Sequence, residues 1–231
     1  MVSPIQKKGI TKMNKNIYCT LDTETVGGSS NPTGMYNAGA IIHDKDGNIL
    51  ATTSILVMEH YDNINKDDYA KKHFPVYEER LLNGTISAVT TEAEAVSIVR
   101  NLCRFYGVKY VMAYNSCFDF IKTPFAALLD EFEFIDLYLM ALQTITHQKG
   151  FDKFCHEHGM RSKNGGRSCA TGVEAVYAYI TGNPNFEEEH TALSDAMNEM
   201  AIFVKCYSLH KKFTKNCHQW NCRENKMFPK W

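Results

Sequence analysis

The chain has 231 residues, 44% hydrophobic and 22% charged, a composition that fits one folded domain with a full core and excludes a disordered chain. Its 25 basic and 26 acidic side chains sum to −1, which rules out a uniformly basic nucleic-acid binder but leaves room for a local basic patch. The longest apolar runs, 38–42 and 125–129, fall far short of the roughly 20 residues that cross a bilayer, so no membrane association is expected.

Residues 1–15 carry lysines but no apolar stretch of about 7 residues and no small-residue cleavage site, so they are not expected to be a secretory signal. They are expected to form a disordered N-terminal extension, with Met13 as an alternative start and a cytoplasmic location for the protein. The eight cysteines include no C-x-x-C pair, which fits reduced thiols.

Residues 16–24 read as a strand through Ile17, Tyr18, Cys19 and Leu21 that ends among acids and threonines, before Gly27 and Gly28 break it. Residues 36–43 and 48–57 are β-branched runs joined through Asp46-Gly47, a turn step that accepts positive φ, and so predict a hairpin. The charged and aromatic stretch 63–83, broken by Pro75, predicts short surface helices. Thr91-Glu92 opens a helical spacing of Ala95, Val96, Ile98, Val99 and Leu102 that runs to Gly107. Short strands at 109–113 and 134–136 alternate with helices at 118–131 and 137–147, and further helices are expected at 150–158, 172–181 and 191–210. Three antiparallel strands followed by alternating strands and helices predict an α/β domain over 16–210, a mixed five-stranded sheet flanked by helices.

Asp22 and Glu24 stand two apart at the end of the first strand, so both carboxyl groups emerge on one side. Held together they repel unless a cation lies between them, although D-x-E also describes a solvated strand end. Asp119 opens a helix after a second strand, where an acid also serves the helix N-terminus. Asp195 sits early in an apolar-faced helix, five residues after His190, and each of these alone also fits a surface position.

Asp22-Thr-Glu-Thr-Val-Gly27, Asn115-Ser-Cys-Phe-Asp119 and His190-x-Ala-x-x-Asp195-Ala196 occur in the order of the three motifs of the DEDDh 3′-to-5′ exonucleases, and over about residues 16–205 the chain resembles that family. The resemblance implies a ribonuclease H-like fold, as in the proofreading subunits of bacterial replicative polymerases. It implies hydrolysis of terminal phosphodiester bonds at single-stranded nucleic-acid 3′ ends, giving nucleoside 5′-monophosphates, with DNA favoured over RNA or short oligoribonucleotides. Two Mg²⁺ or Mn²⁺ ions about 3.5–4 Å apart would serve the reaction. By the same resemblance Asp22 bridges both ions, Glu24 and Asp195 complete the first, Asp119 holds the second, and His190 accepts the proton of the attacking water. Thr23, Thr25 and Gly27 would receive the terminal nucleotide. Phe118 is a stacking residue or a core aromatic, and Asn115 a substrate contact or, more simply, a structural hydrogen bonder. A polymerase or other replication protein is a further partner on this resemblance, and a catalytically silent nucleic-acid-binding relative is the competing reading.

Residues 205–231 hold seven basic residues against the single acid Glu224, interleaved with Phe213, Trp220, Phe228 and Trp231. The tail from 211 suits contact with a nucleic-acid backbone and its bases, or a solvated extension. Cys217 and Cys222, with Cys206, His210 and His218, leave zinc open there, and Cys155-His-Glu-His158 is a shorter group of the same kind. Arg161, Lys163 and Arg167 lie in a Gly-rich loop that suits phosphate contact or plain exposure.

Overall fold

The computed structural model describes residues 16–27, 33–61, 63–64, 67–68, 70–162 and 168–209. The expected N-terminal extension, Gly28, Lys163, Arg167, His210 and the basic aromatic tail with Cys217, His218 and Cys222 lie outside them.

The chain opens with β1 (Ile17–Val26), β2 (Gly34–Asp44) and β3 (Ile49–Val57), an antiparallel meander. The β2–β3 turn forms as its sequence predicts: Gly47 takes φ 82°, and Asp44 Oδ1 accepts the amides of Asp46 and Asn48. A short α1 (Met58–Tyr61) and a 3₁₀ turn (Ala70–His73) lead into α2 (Phe74–Leu82), which places Pro75 in its first turn, where the missing N–H costs nothing. Next come β4 (Ala88–Thr90), α3 (Glu92–Tyr106), β5 (Val108–Ala113), α4 (Cys117–Ile121), a 3₁₀ turn (Pro124–Leu128) and β6 (Glu133–Asp136). The helices α5 (Leu137–Thr144), α6 (Lys149–Glu157), α7 (Val173–Thr181) and α8 (Ala192–Leu209) complete the described chain. None of the described helices is long and apolar enough to cross a membrane.

The strands form one mixed sheet in the order β4-β3-β2-β1-β5-β6, with β3–β4, β1–β5 and β5–β6 parallel. It has six strands, where five were expected. The extra one, β4, is too short to show an alternation of its own and is held by pairing with Ile55–Val57 and by the Ser87 amide on the Ser54 carbonyl. The single helix expected over 118–131 is instead α4 followed by the 3₁₀ turn. Pro124 cannot donate to the preceding turn and keeps Thr123 extended (φ −117°, ψ 168°), and the Thr123 hydroxyl then caps the Phe125 amide. Elsewhere the ends of helices follow local chemistry: Thr91 and Glu94 cap α3 reciprocally, and Gly107 closes it at φ 66°.

Successive residues of the central strands supply two different cores. Cys19, Leu21, Val111 and Ala113 pack with Val96 and Val99 of α3 and with Phe120 and Phe125, while Tyr18, Tyr110 and Met112 pack with Phe151 of α6, Val176 of α7 and Phe203 of α8. Helices therefore cover both faces, and β1 lies buried between them. Cys19, Cys103, Cys155, Cys169 and Cys206 are free thiols, as expected for them.

The period of two puts Asp22 and Glu24 on the Tyr18 face, the one that α8 covers. Gly39, paired with Asp22 on β2, makes this approach possible: a Cβ there would lie 2.2 Å from the Leu193 nitrogen and 2.3 Å from the Ala192 carbonyl carbon. The first turn of α8 thus rests directly on strand backbone. Because backbone rather than a flexible side chain must yield, Gly39→Ala is expected to lower stability by about 3 kcal/mol, the upper part of the usual overpacking range, read as a drop in urea midpoint at unchanged slope.

Candidate active site

Three stretches of chain meet at the end of β1. The strand brings Asp22 and Glu24, both half-buried, and the first two turns of α8 bring Asp195 and Glu199, both buried. The buried Asp119 comes from α4, where its Oδ1 accepts the Thr23 hydroxyl at 2.6 Å. Thr23 faces away from Asp22, so the strand holds Asp119 through one face and presents its own acids on the other. One ligand atom from each of Glu24, His190 and Asp195 lies within 4.8 Å of the others. All five residues singled out by the sequence motifs are therefore accounted for in one locality.

The electrostatics follow from this crowding. Burial, and then the charges of Asp119, Glu199, Glu24 and Asp195, push the Asp22 carboxyl well above the ordinary range. Burial and the charge of Asp195 do the same to Glu24. Asp119 is raised to about 7 by burial, against the opposing hydrogen bond from Thr23, and Asp195 to about 7 by burial and the charge of Glu189. Glu199 is lifted by burial and Asp119, and Glu188, just outside the group, to about 8 by burial and Asp195. Asp195 Oδ1 and Glu199 Oε2 are buried without a hydrogen-bond partner among the described residues. Clustered carboxylate oxygens with unmet lone pairs and an imidazole at the margin form a donor set suited to hard divalent cations.

His190 is held by its backbone. It takes a left-handed φ of 56°, unusual for a side-chain-bearing residue, and Tyr77 of α2 donates its hydroxyl to the His190 carbonyl at 3.0 Å. Asn37, opposite Glu24 on β2, accepts the Ala192 amide at 2.9 Å and donates to the Ile55 carbonyl at 2.8 Å, fixing the start of α8 to the sheet. Arg80 pairs with Glu189 at 2.7 Å, and the His73 ring meets that of His190 edge to face at 4.6 Å. The His190 turn is thus tied to α2 and β2, neither of which carries a motif.

The expected substrate contacts are placed unevenly. Thr23 is committed to Asp119, Thr25 is buried, and Gly27, exposed at φ 91°, donates its amide to Asp67. Asn115 is exposed at φ 60°, and its backbone carbonyl accepts the Phe118 amide. Phe118 is half-buried with the Lys122 ammonium 5.9 Å from its ring, whereas Phe120 fills the core position, so the core-aromatic alternative falls to Phe120. Arg161 lies beside His156. Among the described residues Cys155-His-Glu-His158 joins no metal-type grouping; the second such grouping is Glu59, His60 and Glu92, whose atoms already hold the Glu92 and Met35 amides.

Sequence reasoning missed Glu199, Glu188, Asn37, Tyr77 and Arg80. Only Glu199 left a signal, being four residues after Asp195 and so on the same helical face. Compared with known proteins, the chain matches no family model and no curated sequence.

The raised carboxyl groups make a test. Between about pH 4 and 7 the folded chain retains protons on Asp119 and Asp195 that the unfolded chain releases, so stability is highest below that window and falls as pH rises through it. In chelator, Tm is expected to be higher at pH 5 than at pH 8, and millimolar Mn²⁺ at pH 8 should raise it again. A Tm that climbs from pH 5 to 8 in chelator would contradict the crowding described here.

Proposed function

We propose that the protein is a divalent-metal-dependent 3′-to-5′ exonuclease of the ribonuclease H-like, DEDDh type, acting on single-stranded ends, with DNA favoured, and releasing nucleoside 5′-monophosphates. The observation that carries this is the meeting of Asp22, Glu24, Asp119, His190 and Asp195 at one strand end from three separate stretches of chain. The mixed sheet with helices on both faces is consistent with the fold that the motif resemblance implies.

On this reading Asp22, Glu24 and Asp195 would hold one cation and Asp22 with Asp119 the other. Bound Mg²⁺ or Mn²⁺ would supply the positive charge that phosphodiester hydrolysis needs at the phosphoryl and leaving oxygens. Thr23 orients Asp119, and Asn37 with Gly39 sets the depth of Asp195. The His190 imidazole takes the proton of the attacking water, and the Tyr77 hydroxyl fixes the backbone from which that imidazole extends. Phe118, beside Asp119 and outside the core, offers its ring to the terminal base.

The test uses matched single-stranded DNA and RNA carrying a 5′ label, with chelator or Mn²⁺, and mass analysis of products. Stepwise shortening from the 3′ end with release of 5′-monophosphates only when metal is present is expected. Asp22→Asn should retain under about a tenth of the activity, because charge stabilisation of this kind is worth orders of magnitude. His190→Ala should lower kcat by roughly 10² to 10⁴ with metal affinity unchanged. Tyr77→Phe should lower kcat about fivefold, the worth of one hydrogen bond, at constant KM. Internal cuts, or equal activity in chelator, would overturn the exonuclease reading.

A further inference from the structure

A cleft of about 510 Å³ opens between the end of α6 and the start of α7, a volume within the usual range for small-ligand sites. Met160, Arg161, Ser162, Thr171, Glu174 and Phe186 contribute to its walls. Those walls are fixed from below. The Tyr114 hydroxyl donates to the Thr171 carbonyl at 2.5 Å, the Tyr138 hydroxyl lies 3.4 Å from the Thr171 hydroxyl, and the Ala170 amide donates to the Met160 carbonyl at 3.1 Å. The Phe186 ring is backed by Tyr177, with centroids 4.4 Å apart.

The cleft is linked to the acidic centre through the segment that precedes His190. Glu174 accepts the amide of Glu188, two residues before His190, and its charge contributes to raising Glu188 and Asp195. Tyr114, under the floor, directly follows β5 and leads into the turn that carries Asp119. Phe186 of the cleft and His190 of the acidic centre thus stand on one short segment, which Glu174 holds at Glu188. The lining combines an aromatic face for stacking, hydroxyl groups, a carboxylate that accepts amino hydrogens and a guanidinium that pairs with phosphate, the set of groups that a nucleotide's base and phosphate require.

We propose that this cleft seats one further nucleotide of the substrate strand, its base against Phe186 and its phosphate at Arg161, adjoining the bond cut at the acidic centre. The proposal rests on the exonuclease reading and extends it: affinity for a strand comes partly from a chamber that a single-nucleotide substrate does not fill. A base with an amino edge can also donate to Glu174.

The full chain with saturating Mn²⁺ is assayed on a 12-nucleotide single-stranded DNA and on the p-nitrophenyl ester of thymidine 5′-monophosphate. Phe186→Leu keeps bulk against Tyr177 but removes the stacking face, and Arg161→Gln changes an exposed side chain, so it decides the matter if the first variant does not fold. Each should lower kcat/KM on the 12-mer about tenfold, mainly through KM and within the range of one base stack, and change the ester rate by less than about twofold. Binding of the labelled 12-mer with Ca²⁺ in place of Mn²⁺ should weaken in parallel, and this binding loss is the deciding measurement if the ester is not turned over. Equal losses on both substrates, or unchanged activity and binding in both variants, overturn the subsite while leaving the exonuclease standing. A wild-type protein that cleaves neither substrate overturns both.

Discussion

Asp22 and Glu24 leave β1 on the side where Asp195 and Glu199 descend from α8, while Asp119 approaches from α4 and is tied to Thr23 on the opposite face. Carboxyl groups packed this closely, away from water, push one another toward the protonated form. What keeps the group together is a close approach and a hydrogen bond: a glycine at 39 where the helix touches the sheet, and the Asn37 side chain, whose Oδ1 accepts the first helical amide. The remaining fold serves this constraint, with α3, α4 and the 3₁₀ turn burying one face of β1 and α5 to α8 the other.

Much of this is legible in the sequence because it is local. The D-x-E pair needs only the period of a strand, the β2–β3 turn needs only Asp-Gly, and α3 announces both ends through Thr91 and Gly107. His190 and Asp195 lie close enough in sequence to form one motif, and Asp119 follows a recognisable strand. The helix expected over 118–131 does not form as one piece because apolar spacing continues through Pro124, whose missing N–H ends α4 and starts a new turn.

The rest is not legible because it depends on register and on distant pairs. Nothing in the spacing around Asn37 says that it will stand opposite Glu24 and receive an amide from residue 192. Tyr77 reads as one more aromatic in a charged stretch until α2 packs and brings its hydroxyl to the carbonyl of residue 190. The strand β4 exists only as a partner of β3. Glu199 is the exception, since one helical turn beyond Asp195 is a spacing that the sequence does display.

The position of β1 in the sheet has a consequence for assembly. Its antiparallel neighbour follows almost at once, but its parallel neighbour pairs Ile17 with Val108, and the helix that completes the carboxyl group begins only at Ala192. Contacts of such long sequence separation form late and cooperatively, after the cost of closing large loops has been met. The carboxyl cluster is thus absent from any chain that stops short of α8, and the upward shift of its carboxyl groups reports on closure of the whole domain.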